Sequence, residues 1–154
     1  SDFSNLQAGM LTVSGSLNAP QVVMNTGSTV ATGGVIFAGS AVPPAAIRDG
    51  FSNTYLFGEK YVPMTQYQTG AALGDQQCAY VGDSSDTLRG GQRPPASDST
   101  VWSAELEGVF GGPHPVSYNA AMCDGSVRSI GFDISARIHF LLACRADRQP
   151  VSPD

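Results

Sequence analysis

Apolar and polar positions change rhythm several times along this chain. Residues 1–40 are low in charge and rich in Ser, Thr, Gly, Val and Ala, with alternation at Met10, Leu11, Thr12 and Val13 and apolar runs at residues 21–24 and 34–38. That pattern predicts strands joined by loops at residues 15–20 and 25–28. Val42-Pro43-Pro44 punctuates the chain, and residues 45–48 read as one helical turn before the Asp49-Gly50 bend. In residues 55–62, Tyr55, Phe57 and Tyr61 alternate with Leu56 and Val62, which predicts a strand placed centrally in the sheet.

Residues 63–100 lose this periodicity and gain Gly, Gln, Asp, Ser and Pro, so they read as a long surface excursion with one short strand at residues 78–81. Val101 and Trp102 begin another apolar patch, with the tryptophan expected at the sheet edge or the loop base. Near the C-terminus, Asp133 or Ser135 can cap a helix. Ile134, Ile138, Leu141 and Leu142 recur at helical spacing and make one apolar stripe, with an end expected within residues 143–146. At 100° per residue Phe140 falls on the opposite side, as an exposed aromatic that is either incidental or a contact with another chain. His139 flanks the stripe and is expected at the surface or boundary.

Between these segments lie two short runs, residues 118–123 and 126–130, flanking Asp124-Gly125. Asp-Gly is a preferred pair where both central residues of a type I′ turn take positive φ, so a β-hairpin is expected. A two-residue loop would pair Met122 with Val127 and Ala120 with Ser129 on one face, leaving Ala121, Cys123, Arg128 and Ile130 on the other.

Together these elements predict an α+β, β-rich fold: an antiparallel sheet with a C-terminal helix packed on it. At 154 residues the chain reads as one globular domain spanning 1–154, long enough to bury a core without a metal or disulfide framework. The plentiful Gly (18) and Pro (10) favour short strands and turns. A formal net charge of -5 and the absence of any Lys/Arg run argue against binding nucleic acid or an anionic membrane surface. No run of 18 apolar residues predicts a membrane span, and the residues after Ser1 lack the features of a signal peptide.

Several short motifs occur in a familiar order. His114 is followed, after nine residues, by Asp124-Gly125 and then Ser126-Val127-Arg128. Upstream lie Ile47-Arg48-Asp49-Gly50-Phe51-Ser52-Asn53-Thr54 and Gly58-Glu59. Between them are Tyr80-Val81-Gly82-Asp83, Asp86, Arg89, Pro94-Pro95 and Asp98, and Gln149-Pro150-Val151-Ser152 closes the series. This set, over roughly residues 34–154, resembles the bacterial prepilin-like family with a His-x9-Asp-Gly signature, whose members begin with a type IV pilin or pseudopilin N-terminus. The resemblance implies a pilin-head-like structural subunit, exported to the cell surface or beyond it and assembling with itself into a filament or a pseudopilus of the type II secretion kind. It implies motif roles for Asp49, Gly50, Asn53, Thr54, Glu59, His114, Asn119, Asp124 and Gly125. Phe140 departs from the family pattern, which is commonly polar there, and its expected interface role rests on its helix position alone. The long hydrophobic helix of pilins is not in this sequence, so a head domain or another mode of assembly is expected.

Candidate chemistry is sparse. A Cys-His-Asn group can activate a thiolate, but Cys123 abuts the turn while His114 precedes the first strand, separated by about 3.3 Å per residue of extended chain. Catalysis is therefore not expected, and the His114 ring is expected to bond a neighbouring backbone group at the start of the hairpin. Cys78, Cys123 and Cys144 leave open one disulfide with a spare thiol or three buried free thiols acting as small hydrophobes. No cofactor is implied. Asp75, Asp83, Asp86 and Asp98 carry oxygen ligands suited to calcium, which pseudopilin heads use in loops, with Asp83 and Asp86 the low-ranked candidates; no EF-hand spacing is present. Gly33-Gly34, Gly90-Gly91 and Gly111-Gly112 lack the rest of a phosphate loop and read as turns. The competing function is an exported small-ligand or glycan binding module, with a pocket in the 63–100 loop lined by Tyr67, Tyr80 and Trp102.

Overall fold

A computed structural model describes residues 22–25, 28–31, 33–37, 39–72, 74–78, 80, 84, 86–98, 106 and 108–149. Strands β1 (Val22–Asn25) and β2 (Ser28–Ala31) pair antiparallel as a hairpin. After them come a 3₁₀ turn at Pro44–Ala46, where Pro43-Pro44 pre-sets the backbone, and another at Phe51–Asn53. Then follow β3 (Tyr55–Gly58), β4 (Ala96–Ser97), β5 (Gly111–Gly112), β6 (Ser117–Met122), β7 (Val127–Gly131) and helix α1 (Ala136–Ala143). The fold is α+β: a three-stranded antiparallel sheet, ordered β3-β6-β7, with the C-terminal helix packed against it.

β6, not the 55–62 segment, is the central strand. The expected long strand breaks at Gly58, after a bulge between Tyr55 and Phe57. Its second half leaves the sheet and pairs elsewhere: Lys60 bridges Phe110, and the Tyr61 N–H bonds the Val109 carbonyl. Gly111 lies so close to the Ala96 carbonyl and the Tyr61 backbone that a Cβ there would clash, which is why glycine stands where β4 and β5 run side by side.

Alternation within β6 sets the layers. Tyr118, Ala120 and Met122 are all fully buried beneath α1 and join Tyr55, Phe110 and Leu142 in the core. Ile130, Phe132, Ile134, Ile138 and Ala143 pack around this cluster. Burial of each large apolar side chain contributes about 1.5–3 kcal/mol, so helix and sheet hold one another.

The hairpin departs from the expected register. Ala121 pairs with Val127, Ala120 with Arg128 and Tyr118 with Ile130, one residue away from the two-residue-loop pairing. Gly125 alone has positive φ (86°) in the turn, and its N–H bonds the Met122 carbonyl at 3.0 Å. The loop is therefore the three residues Cys123, Asp124 and Gly125: a type I turn closed by a left-handed glycine. Asp124 selects this form, since its Oδ1 accepts both the N–H (2.8 Å) and the hydroxyl (2.6 Å) of Ser126. The one-residue shift exchanges faces. Arg128 and Ile130 flank the core, and Val127 and Ser129 turn outward.

Two helix expectations are also corrected. The buried face is centred on His139, Leu141 and Leu142, and His139 has no exposed surface at all. Phe140 is half-buried, lining a cleft with Gly34, Gly90, Gly91 and Phe110 of its own chain. Ser135 occupies the cap position without a side-chain capping bond. Residues 33–36 are bends and residue 37 is irregular, and Cys78 and Tyr80 are not in a strand. The expected strand at 10–13, together with Val81, Asp83, Trp102 and the 150–152 motif, lies outside the described residues.

Candidate functional site at the motif residues

Glu59 and Asn119 meet on the outward face of the sheet. The Glu59 N–H bonds the Asn119 carbonyl at 3.0 Å, but the Glu59 carbonyl is turned away to accept the Gly111 N–H at 3.0 Å. The Asn119 N–H is taken instead by Glu59 Oε2 at 2.7 Å, while Asn119 Nδ2 reaches Oε1 at 3.1 Å. A side-chain carboxylate thus stands in for a ladder carbonyl where the strand departs, and charge strengthens both bonds. Burial pushes the Glu59 carboxyl up, but the bonds from Asn119 and the neighbouring His114 outweigh it, leaving the group below its ordinary range.

His114 joins this pair from the rim. Its Nε2 lies 3.3 Å from Asn119 Nδ2 and 3.5 Å from Glu59 Oε1, on a half-exposed ring. Its side-chain partners are therefore an amide and a carboxylate, not the backbone group expected, because the departing strand delivers Glu59 to that spot. The His114 carbonyl receives the Ser97 hydroxyl at 3.5 Å.

The Asp49 to Thr54 motif ties three parts of the chain together. Asp49 Oδ2 and Oδ1 accept the N–H groups of Asp147 (2.8 Å) and Arg148 (2.7 Å), with Arg148 held at φ 59°. Asn53 Nδ2 bonds the Asp49 carbonyl, and Thr54 Oγ1 bonds the carbonyl of Gly50, itself at φ 96°. The carbonyls of Thr54 and Phe51 accept the N–H groups of Cys123 (2.9 Å) and Asp124 (3.1 Å). One short segment thereby anchors both the hairpin turn and the chain after α1. Asp124 lies below its ordinary range because of its bonds from Ser126.

The Cys-His-Asn group does not assemble. Cys123 Sγ bonds the Tyr55 carbonyl at 3.7 Å, and burial with the Asp124 charge pushes its thiol up. No disulfide links the three cysteines. Cys144 is buried, and burial with the Asp147 and Asp49 charges raises it to about 12. The acidic loop residues have other partners: Asp75 pairs with Lys60 at 2.6 Å, Asp86 accepts the Gln77 N–H, and buried Asp98 accepts the Val62 N–H (3.0 Å) and the Tyr67 hydroxyl (2.6 Å). Among the described residues no group of three or more His, Cys, Asp and Glu is placed to hold a metal. Tyr80 is almost wholly exposed, and the cleft beside Phe140, about 70 Å³, is lined by neither Tyr67 nor Tyr80.

Residues 4–135 match the family described as protein of unknown function (DUF1559). The chain belongs to that family. No curated protein and no solved structure matches it.

Two features of this DUF1559 chain escaped the sequence reading. His139 sits between Tyr55, Phe110 and Tyr118, with ring centroids 5.6, 5.5 and 6.3 Å away. Its spacing to Leu142 places it on the buried stripe, but a stripe counted in apolar residues passes over a histidine. Arg145 is the other. Its N–H and guanidinium bond the carbonyls of Gly33 and Gly34, and it lies 5.4 Å over the Phe37 ring, holding the 33–37 strap across the end of α1. No local pattern marks so distant a contact.

Proposed function

We propose that this chain is a structural subunit of an extracellular or cell-surface filament of the pilin-like or pseudopilin-like kind, assembling by homopolymerisation. The observation that carries the reading is the outer edge of β7, which has no strand partner among the described residues. In the β6–β7 ladder the bonded pairs are Ala120 with Arg128 and Tyr118 with Ile130, so the N–H groups of Val127, Ser129 and Gly131 point outward. An edge of this kind is a template for an added strand, and main-chain pairing gives affinity with little demand on sequence. Beside it the outward face carries an apolar row, Phe57, Ala121 and Val127, with Phe57 61% and Val127 69% exposed.

The motif residues support the same reading. Asp49, Glu59 and Asp124 direct their carboxylates at the chain's own N–H groups, as residues that stabilise a building block do. The cleft beside Phe140, of about 70 Å³, falls far short of the roughly 300 Å³ at which small-ligand pockets begin, so that cleft is not itself a ligand site. Light scattering and negative-stain imaging over a concentration series test the proposal. Particles growing by multiples of 16.0 kDa into filaments are expected; a monomer at every concentration, in native as in recombinant material, overturns it.

A further inference from the structure

The core of the helix–sheet contact contains a group that acid can charge. His139 projects from α1 into a box of rings from three other segments: Tyr55 of β3, Tyr118 of β6 and Phe110 before β5. The Tyr118 hydroxyl donates to the Tyr55 hydroxyl at 3.1 Å, and both hydroxyls lie 3.4 Å from His139 Nδ1. With the Tyr118 proton engaged on Tyr55, the Tyr55 hydroxyl is the one left to donate to Nδ1 of the neutral ring, and in that arrangement the ring proton sits on Nε2. Nε2 is buried and has no hydrogen-bond partner among the described residues.

The titratable groups facing the ring are the two phenols, whose ionisation burial pushes upward. From β7 the nearby charge is Arg128, which acts on Tyr55 and is of the wrong sign to receive an imidazolium. From the 89–92 segment, Gly91 packs on the His139 carbonyl, and Arg89 directs its guanidinium to the carbonyls of Leu88 and Gly74. On the helix itself Arg137 bonds Gln149 outside, and Arg145 holds the strap. No carboxylate of the described residues is in hydrogen-bond or ion-pair contact with the ring.

We propose that His139 is an acid-sensitive latch: protonation of its ring releases α1 from β3 and β6 while the β6–β7 hairpin stays paired. The chemistry is that of a reversed hydrogen bond. A proton on Nδ1 turns that atom from acceptor to donor, so the Tyr55 hydroxyl must give up its donation while it still receives Tyr118. The new positive charge has no counter-ion in the box. Burial holds the ring to about 4 from its ordinary 6.5. Between those values the opened helix takes a proton that the packed helix refuses, so opening becomes easier as pH falls through this window and levels off below it.

Amide exchange of the full chain from pH 7 to 4.5, corrected for intrinsic rates, tests the latch. Protection of the α1 amides should fall about tenfold per pH unit below roughly pH 6, the slope of a single linked proton, while the β6 amides lose less. His139→Phe should abolish that slope. Constant α1 protection, equal slopes in α1 and β6, or an unchanged slope in His139→Phe each overturns the proposal. If that variant does not fold, carbon-13 shifts of the wild-type His139 ring decide. A neutral ring at pH 5 that charges only as α1 opens is expected, and one that charges with α1 still packed overturns the latch.

Discussion

The Glu59 carboxylate, 2.7 Å from the Asn119 N–H, completes a strand ladder that the Glu59 carbonyl has left in order to bond Gly111. This substitution lets one stretch of chain serve two pairings: residues 55–58 with β6, and residues 59–61 with residues 109–111. Glu59→Ala removes the acceptor and should destabilise the fold by about 1–2 kcal/mol, because the Asn119 N–H loses a charge-assisted partner. Glu59→Gln keeps an acceptor and should cost less. The carboxyl lies below its ordinary range in the fold, so its contribution is present above the ordinary glutamate value and is lost as pH falls through the folded one. Melting curves of wild type and Glu59→Gln at pH 7 and pH 3.5 check this: their gap should narrow in acid, and a constant gap would count against the ladder role.

Gly125 is required for its backbone and not for space. Its φ is 86°, and a Cβ built on it meets nothing within 4 Å. Gly125→Val should cost about 1–3 kcal/mol, and Gly125→Asn distinctly less, since asparagine tolerates the left-handed region. Urea midpoints of the two variants provide the comparison. Equal losses would contradict the turn described for Cys123, Asp124 and Gly125.

The thiols should react in the order of their exposure. Cys78 is exposed, Cys123 is half-buried and raised by burial and Asp124, and Cys144 is buried and raised to about 12. Reactivity follows the accessible thiolate. Iodoacetamide at pH 8 should therefore modify Cys78 first in the native protein and Cys144 only with unfolding, as peptide mass mapping over time would show. Early modification of Cys144 would show that the end of α1 is open.

The short-range features were legible in the sequence because they depend on short-range chemistry. The Asp124-Gly125 pair marks a hairpin, and residues 136–143 carry a helical stripe. The turn form was misread because Asp-Gly suits two loop lengths, and the choice rests on Ser126, whose N–H and hydroxyl both reach the Asp124 carboxylate. The strand order was misread because an aromatic-rich stretch resembles a central strand, whereas small Ala120 and Ala121 let β6 lie between two neighbours. Asp49 was singled out by its motif, but its partners at Asp147 and Arg148 are almost a hundred residues away. His139 was hidden for the same reason, since the Tyr55 and Tyr118 hydroxyls that accommodate it come from distant strands.

The outer edge of β7 offers the most direct test of assembly. Ser129→Pro deletes an outward-pointing N–H while leaving the bonds from Arg128 and Ile130 to β6, and proline is tolerated on such an edge. The loss inside the subunit is the 2.8 Å bond between the Ser129 and Ser117 hydroxyls, so Ser129→Ala is the matched control. Sedimentation velocity across a concentration series should show wild type and Ser129→Ala polymerising, with Ser129→Pro remaining a folded monomer. Polymerisation of Ser129→Pro at the wild-type concentration would contradict strand addition at β7, and a wild type that stays monomeric throughout would contradict the structural-subunit reading itself.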